Sequence, residues 1–145
     1  MTDNKKTLEL TTENFQETIE NNDLVFIDFW AEWCGPCKAF GPIFEAAAER
    51  HPDAVWAKVD TENAQELAQA FGVQSIPTLA VFRERIMLYL QPGMVPAESL
   101  DDLVKQTKAL DMDAIRKEVA EVQAKEEAKK EVAEVQAKEE AKKED

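Results

Sequence analysis

The feature that most constrains the fold is a junction at which an apolar strand passes into a helix that starts with two cysteines. Residues 24–30, LVFIDFW, form a nearly continuous apolar run, which is typical of a strand covered on both faces. The WCGPC segment at residues 33–37 follows and holds the only two cysteines of the chain, Cys34 and Cys37. The pattern predicts a buried strand, with a dithiol at the N-terminus of a helix that runs to about residue 50.

The position of Cys34 at a helix start indicates redox chemistry. Unpaired backbone N–H groups and the helix dipole stabilise an anion there, so the pKa of a cysteine falls and the nucleophilic thiolate is favoured. Pro36 suits the first turn, because proline has no N–H group to leave unsatisfied. We therefore expect Cys34 to attack the disulfide of a partner and Cys37 to resolve the mixed disulfide.

Two other interpretations of the cysteine pair are weaker. A structural disulfide that closes so short a loop would constrain little of the unfolded chain. A zinc site needs four ligands, and the chain offers two cysteines and His51, so only a site shared between chains stays open. His51 itself, beside Pro52 at a predicted helix end, is expected to be an exposed loop residue. We expect no bound metal.

The order of the predicted elements indicates the fold class. Strands are predicted at residues 7–10, 24–30, 55–59, 78–82 and 86–90. Helices are predicted to begin near residues 12, 34, 63 and 96, and the third of them ends at Gly72, a good C-terminal cap. This alternation predicts an α/β sandwich with a central mixed sheet.

Asp28 interrupts the apolar run of the second predicted strand, where an isolated charge is costly. One interpretation is a carboxylate near the strand end that reaches water. The favoured interpretation is a buried acid with a raised pKa, which takes the proton from Cys37 as that thiol attacks. Lys38 or Lys58 could tune its ionisation.

Two segments carry a resemblance to a known family. The sequence DFWAEWCGPCK at residues 28–38, together with SIPT at residues 75–78, closely resembles the thioredoxin family over roughly residues 7–108. The resemblance implies a thioredoxin-like three-layer sandwich and catalytic roles for Cys34, Cys37 and Asp28. It also implies a cis bond before Pro77, which would place the Ile76 backbone beside the cysteines to pair with a substrate strand.

The same resemblance implies a substrate surface and partners. The surface would be flat and apolar, and its predicted members are Trp33, Gly35, Pro36, Ile76, Pro77 and Gly93, with Met94 beside them. The implied activity is reduction of protein disulfides, with electrons from a thioredoxin reductase and no bound cofactor. An alternative function is a redox-linked binding or chaperone-like adaptor that uses the same groove.

Composition sets the remaining expectations. No stretch approaches the ~20 apolar residues of a membrane span, and the N-terminus lacks the apolar core of a signal peptide, so we expect a cytoplasmic protein with no membrane partner. A net charge of −13 argues against nucleic acid as a partner, because phosphates would repel the protein. The oligomeric state is left open, with a monomer favoured.

One hairpin departs from the family pattern. Two-residue hairpin loops favour Asn-Gly because both positions need a positive φ, so Glu84 and Arg85 predict a longer or differently shaped loop. The strand that follows, residues 86–90, is apolar on both faces. Since exposed edge strands are normally blunted by charge, we expect the C-terminal extension or a second subunit to cover it.

The C-terminal extension is the second departure. The sequence EVAEVQAKEEAKK at residues 118–130 recurs unchanged at residues 131–143, and its Glu and Lys residues recur at the favourable i,i+4 spacing. It predicts a helix from about residue 113 to 143. A thirteen-residue repeat turns the second copy by roughly 220°, so the valines form no continuous seam and the second copy should lie in solvent. We therefore expect a domain at residues 1–110 and a charged helical extension at residues 111–145.

Overall fold

The computed structural model describes residues 6–143, and its elements follow the predicted order closely. The strands are β1 (Thr7–Glu9), β2 (Leu24–Trp30), β3 (Val55–Asp60), β4 (Thr78–Arg83) and β5 (Ile86–Pro92). The helices are α1 (Phe15–Asn21), α2 (Gly35–Arg50), α3 (Gln65–Ala70), α4 (Ala97–Ala109) and α5 (Met112–Lys143). The contacts within the chain separate two compact units, with the boundary between Lys108 and Ala109.

The five strands form one mixed sheet in the order β1-β3-β2-β4-β5. Strand β3 runs parallel to both β1 and β2, whereas β4 runs antiparallel to both β2 and β5. Strand β2 is therefore central, and its apolar run is buried as expected. The predicted α/β sandwich with a mixed central sheet is confirmed.

Alternating side chains divide the core between the two faces of the sheet. On one face, Val25, Ile27 and Phe29 of β2 pack with residues of α1 and α3. On the other face, Leu24 and Phe26 pack with residues of α2 and α4. Because Asp28 alternates in step with Leu24 and Phe26, it lies on the face that α2 covers.

Strand β5 is apolar on both faces because the sheet has a core on each side. Leu90 packs against the core on the α1 and α3 face, and Tyr89 packs against the core on the α2 and α4 face. Its register with β4 shifts by one residue between Val81 and Phe82, a bulge that disrupts the ladder at this edge. The packing accounts for the two-sided pattern without a second subunit.

The loop between β4 and β5 is a two-residue turn, so the prediction of a longer or differently shaped loop is wrong. Glu84 has φ 49° and Arg85 has φ 70°, the positive values that such a turn requires. Neighbouring contacts hold it in place: the Glu84 N–H donates to the Asp23 carbonyl at 2.7 Å, and the Arg83 guanidinium donates to the Thr107 carbonyl at 2.7 Å. These tertiary contacts outweigh the local preference for glycine.

His51 lies just after α2, outside the helix as predicted, but it is half-buried rather than exposed. It is the C-cap of α2, and 21% of its side chain is exposed. Its Nε2 lies 2.7 Å from Oδ1 of Asp101 on α4, and its ring stacks on Trp56 with 6.1 Å between centroids. The Trp56 indole N–H donates to the His51 carbonyl at 2.9 Å. His51 thus connects α2, β3 and α4. These contacts depend on the tertiary fold, and no local sequence pattern predicts them.

Helix α5 makes up most of the predicted C-terminal extension. It runs from Met112 to Lys143, within one residue of the predicted start and at the predicted end. Val122, Val132 and Val135 are each more than half exposed, so the second copy of the repeat lies in solvent as expected. No helix within residues 6–143 is both long enough and apolar enough to cross a membrane.

Candidate active site

The β2–α2 junction positions the two cysteines. Cys34 is the N-cap of α2, with extended backbone at φ −86° and ψ 113°, and Pro36 occupies the first turn. The Cys37 backbone N–H donates to the Cys34 sulfur at 3.2 Å, so one of the unpaired N–H groups of the helix start points at Sγ. The two sulfurs are bonded to each other as a disulfide.

Hydrogen bonding, rather than exposure, distinguishes the two cysteines. Each is 4% exposed, so exposure does not separate the attacking cysteine from the resolving one in the disulfide form. The Cys34 sulfur sits at the helix end and lies 3.7 Å from the carbonyl oxygen of Ile76. Cys37 lies one turn into the helix. The helix start and the Cys37 N–H, which donates to the Cys34 sulfur, favour negative charge on Cys34 rather than on Cys37.

The loop before β4 faces the disulfide. The Ile76–Pro77 peptide bond is cis, and Ile76 packs against the small cluster of Ala31, Cys34 and Cys37. The Pro77 carbonyl accepts a hydrogen bond from the Gly93 N–H at 2.8 Å. Gly93 has φ 106°, a conformation that side-chain-bearing residues rarely adopt. These contacts connect the end of β5 to the loop beside the cysteines.

Most of the residues predicted to form a substrate surface are exposed. Trp33 is 68% exposed and Met94 is 44% exposed. Gly35, Pro36 and Gly93 are exposed as well, and Ile76 is half-buried. Pro77 differs from the others because it is buried. Pro77 contributes through its backbone carbonyl, which accepts the hydrogen bond from the Gly93 N–H.

Asp28 is 0% exposed, which excludes a carboxylate that reaches water. Neither of its oxygens has a hydrogen-bond partner within the described part of the chain. Burial raises the pKa of Asp28 to about 7; the Lys58 charge opposes the rise and the Glu45 charge adds to it. Of the two lysines proposed to tune this carboxyl, Lys58 is the one that acts on it, and Lys38 is exposed.

Lys58 stands beside Asp28 in the register of the sheet, since the two residues are partners in the parallel pair of β2 and β3. The Lys58 Nζ lies 3.6 Å from Oε1 of Glu45 and 5.2 Å from the ring centroid of Trp30. These three side chains line a cleft of about 450 Å³ together with Thr7, Leu8, Glu9 and Asp60. The Lys58–Glu45 pair therefore lies between the buried carboxyl of Asp28 and the open cleft.

Glu45 is the residue of this site that our sequence reasoning missed. Its signal is the spacing of Cys37, Gly41 and Glu45, which recur every four residues and so share one face of α2. Gly41 on that face is close to the lysine, because a Cβ there would lie 3.7 Å from the Lys58 Nζ. Within residues 6–143, no three His, Cys, Asp or Glu side chains group as a metal site.

Comparison with known proteins gives one consistent result. The family model described as Thioredoxin matches residues 6–108. A Streptomyces coelicolor protein named as a candidate thioredoxin 2 is 58% identical over 118 residues, which cover 81% of this chain and 88% of that protein. A thioredoxin of Alicyclobacillus acidocaldarius is 41% identical over 66% of this chain and 91% of its own length. Among solved structures, a mutant thioredoxin from Halobacterium salinarum superposes with a TM-score of 0.68 at 32% identity, covering 77% of this chain and 98% of that one.

Proposed function

Because this chain belongs to the thioredoxin family, we propose that its thiol–disulfide oxidoreductase activity serves to reduce disulfide bonds in other proteins. The observation that carries the proposal is the Cys34–Cys37 disulfide at the start of α2, with the Cys37 N–H donating to the Cys34 sulfur at 3.2 Å. A sulfur held in this way is stabilised as a thiolate once the bond is reduced. It is then the natural attacking group for exchange.

The proposed cycle starts from the reduced pair. The Cys34 thiolate attacks one sulfur of the substrate disulfide, which forms a Cys34–substrate disulfide and releases the other substrate sulfur as a thiolate. The Cys37 thiol then loses its proton and attacks the Cys34 sulfur, which releases the second substrate thiolate. Two electrons have passed to the substrate, both of its thiolates take up protons, and the enzyme ends in the Cys34–Cys37 disulfide.

Asp28 is the proposed acceptor of the Cys37 proton. The carboxyl lies on the face of β2 that α2 covers, and Cys37 belongs to the face of α2 on which Gly41 approaches Lys58. With a pKa of about 7, the group can both take up and give back a proton near neutral pH. An acid with an ordinary pKa would hold a proton from Cys37 only weakly.

The exposed residues around the disulfide support the proposed substrate surface. Trp33, Gly35 and Pro36 present an exposed rim next to the cysteines. The Ile76 carbonyl oxygen lies 3.7 Å from the Cys34 sulfur, so a substrate strand that paired with the Ile76 backbone would lie beside the attacking group. We further propose a thioredoxin reductase as electron donor and the cytoplasm as location. The domain at residues 1–110, with residues 111–145 appended, is proposed to act as a monomer.

A redox-linked adaptor function is not favoured. Such an adaptor would need the groove but not the exchange chemistry, whereas this site combines both cysteines with a buried acid of raised pKa. The Streptomyces coelicolor and Alicyclobacillus acidocaldarius relatives are both named as thioredoxins.

Reduction of insulin by dithiothreitol tests the proposal. We expect the wild type to accelerate the reaction and Cys34→Ser to lose at least 100-fold in rate, which is on the order of the loss expected when a covalent nucleophile is removed. Ser99→Ala is the control, because Ser99 is exposed on α4 and should leave the rate unchanged. Wild-type activity in the Cys34→Ser variant would favour the adaptor.

A further inference from the structure

Lys58 and Glu45 form a charged pair beside Asp28, and the position of this pair affects the ionisation of the buried carboxyl. Lys58 is the cross-strand partner of Asp28, and an unobstructed ammonium there would form a direct ion pair with a carboxylate that has no other partner. The Lys58 Nζ instead lies 3.6 Å from Glu45 on α2. The Lys58 and Glu45 side chains are 21% and 33% exposed, so both charges are partly buried and lie where the cleft opens to solvent.

Three groups surround the Lys58 ammonium. Glu45 faces it at 3.6 Å, the Trp30 ring lies 5.2 Å from it, and a Cβ at Gly41 would lie 3.7 Å from it, an ordinary contact distance. A cation over an aromatic face and beside a carboxylate is held in place more firmly than a free lysine. Glu45 is the part of this arrangement that carries a compensating negative charge.

We propose that Glu45 is a positioning residue that holds the Lys58 ammonium away from Asp28 and balances its charge, so that Asp28 remains able to take up and release a proton. The charged groups that act on Asp28 are Lys58 from β3 and Glu45 from α2, whereas its β4 partner, Leu79, is apolar. Cys37, on the same face of α2 as Glu45, is bonded to Cys34 and carries no charge in this form. Glu9 and Asp60 line the outer part of the same cleft. Glu45 is the carboxylate that contacts the lysine.

Removal of the Glu45 charge has two electrostatic effects. The Lys58 ammonium becomes free to approach Asp28, and the positive field of the ammonium is no longer offset. Both effects stabilise the carboxylate form of Asp28. The acid would then hold its proton less well at neutral pH. The lower pKa of Asp28 is expected whether or not Asp28 takes part in proton transfer. An effect on turnover rests on the proposed proton transfer from Cys37 to Asp28.

The test is a carbon NMR titration of the Asp28 carboxyl in the oxidised full-length chain. We expect Glu45→Gln to lower the pKa of Asp28 on the order of half a unit, the effect of one charge several ångströms away in a mixed protein–water medium. Glu49→Gln is the matched control, because Glu49 is exposed one turn further along α2, and it should leave the titration unchanged. Lys58→Met should raise the pKa.

A double variant decides whether Glu45 acts through the lysine. In the Lys58→Met background, Glu45→Gln should move the titration less than it does in the wild type, because only the direct field of Glu45 on Asp28 remains. An unchanged titration in Glu45→Gln, or a shift of full wild-type size once Lys58 is absent, would overturn the proposal. If the titration shifts as expected while the pH profile of insulin reduction stays fixed, the proton-transfer role of Asp28 fails and the role of Glu45 stands.

Discussion

At the scale of single residues, Asp28 is costly to the stability of the fold and is the most informative part of the site. A carboxyl with 0% exposure and no hydrogen-bond partner among the described residues destabilises the folded chain whenever it is ionised. Its pKa is about 7 in the folded chain and 3.8 in the ordinary case. Between these two values the folded carboxyl keeps a proton that the unfolded chain releases.

Asp28→Asn is therefore expected to stabilise the protein in a pH-dependent way. Because the folded state binds the extra proton, the free energy of unfolding of the wild type falls as pH rises from about 4 to about 7 and stays low above it. The variant lacks this loss. Its advantage should be smallest near pH 4 and reach at most on the order of 4 kcal/mol above pH 7, as measured by urea unfolding across this range.

The same variant should reduce insulin more slowly, because the resolving thiol loses its proton acceptor. Asp102→Asn, an exposed residue of α4, is the control and should change neither stability nor rate. A stability gain for Asp28→Asn that is equal at pH 4 and pH 8 would contradict the assignment of a proton to the folded carboxyl.

The sequence identified most of this site, and the reasons for the omissions are physical. Cys34, Cys37 and Asp28 stand out because their residue types are unusual where they occur, at a helix start and inside an apolar strand. Glu45 does not stand out, since a glutamate on a helix is ordinary and only the fold brings it within 3.6 Å of Lys58. The burial of Pro77 likewise depends on tertiary packing.

At the scale of elements, periodicity predicts the strands and helices well but turn residues predict the β4–β5 connection poorly. The apolar run of β2 and the glycine that ends α3 are strong local signals, and both elements end where these signals place them, within a residue or two. The turn at Glu84 and Arg85 has no such signal. It is held instead by the backbone bond to Asp23 and by the side chain of Arg83.

Arg85→Gly tests the cost of this turn. Arg85 adopts φ 70°, which glycine adopts without a steric penalty, so the substitution should raise the free energy of unfolding by about 0.5 to 1 kcal/mol. Arg85→Ala removes the same side chain but keeps a Cβ, and it should bring no gain. Chemical denaturation of both variants measures the difference, and equal stabilities would show that the positive φ is not strained.

At the scale of the whole molecule, the redox site belongs entirely to the first compact unit. The Cys34–Cys37 pair, the Ile76–Pro77 loop, and Asp28 with its charged neighbours all precede the boundary at Lys108. The second unit is the long charged helix, whose valines in the second repeat copy are exposed. We infer that residues 111–145 are an appendage to a chain whose chemistry is complete without them.

The central claim is that Cys34 attacks the substrate and Cys37 resolves the mixed disulfide, and trapping the intermediate tests it most directly. The reduced Cys37→Ser variant is mixed with oxidised insulin, the reduced Cys34→Ser variant is treated in the same way, and the adducts are mapped by mass spectrometry. We predict a stable mixed disulfide on Cys34 in the first variant and little adduct on Cys37 in the second, because only Cys34 caps the helix. An adduct on Cys37 at equal yield would contradict the account.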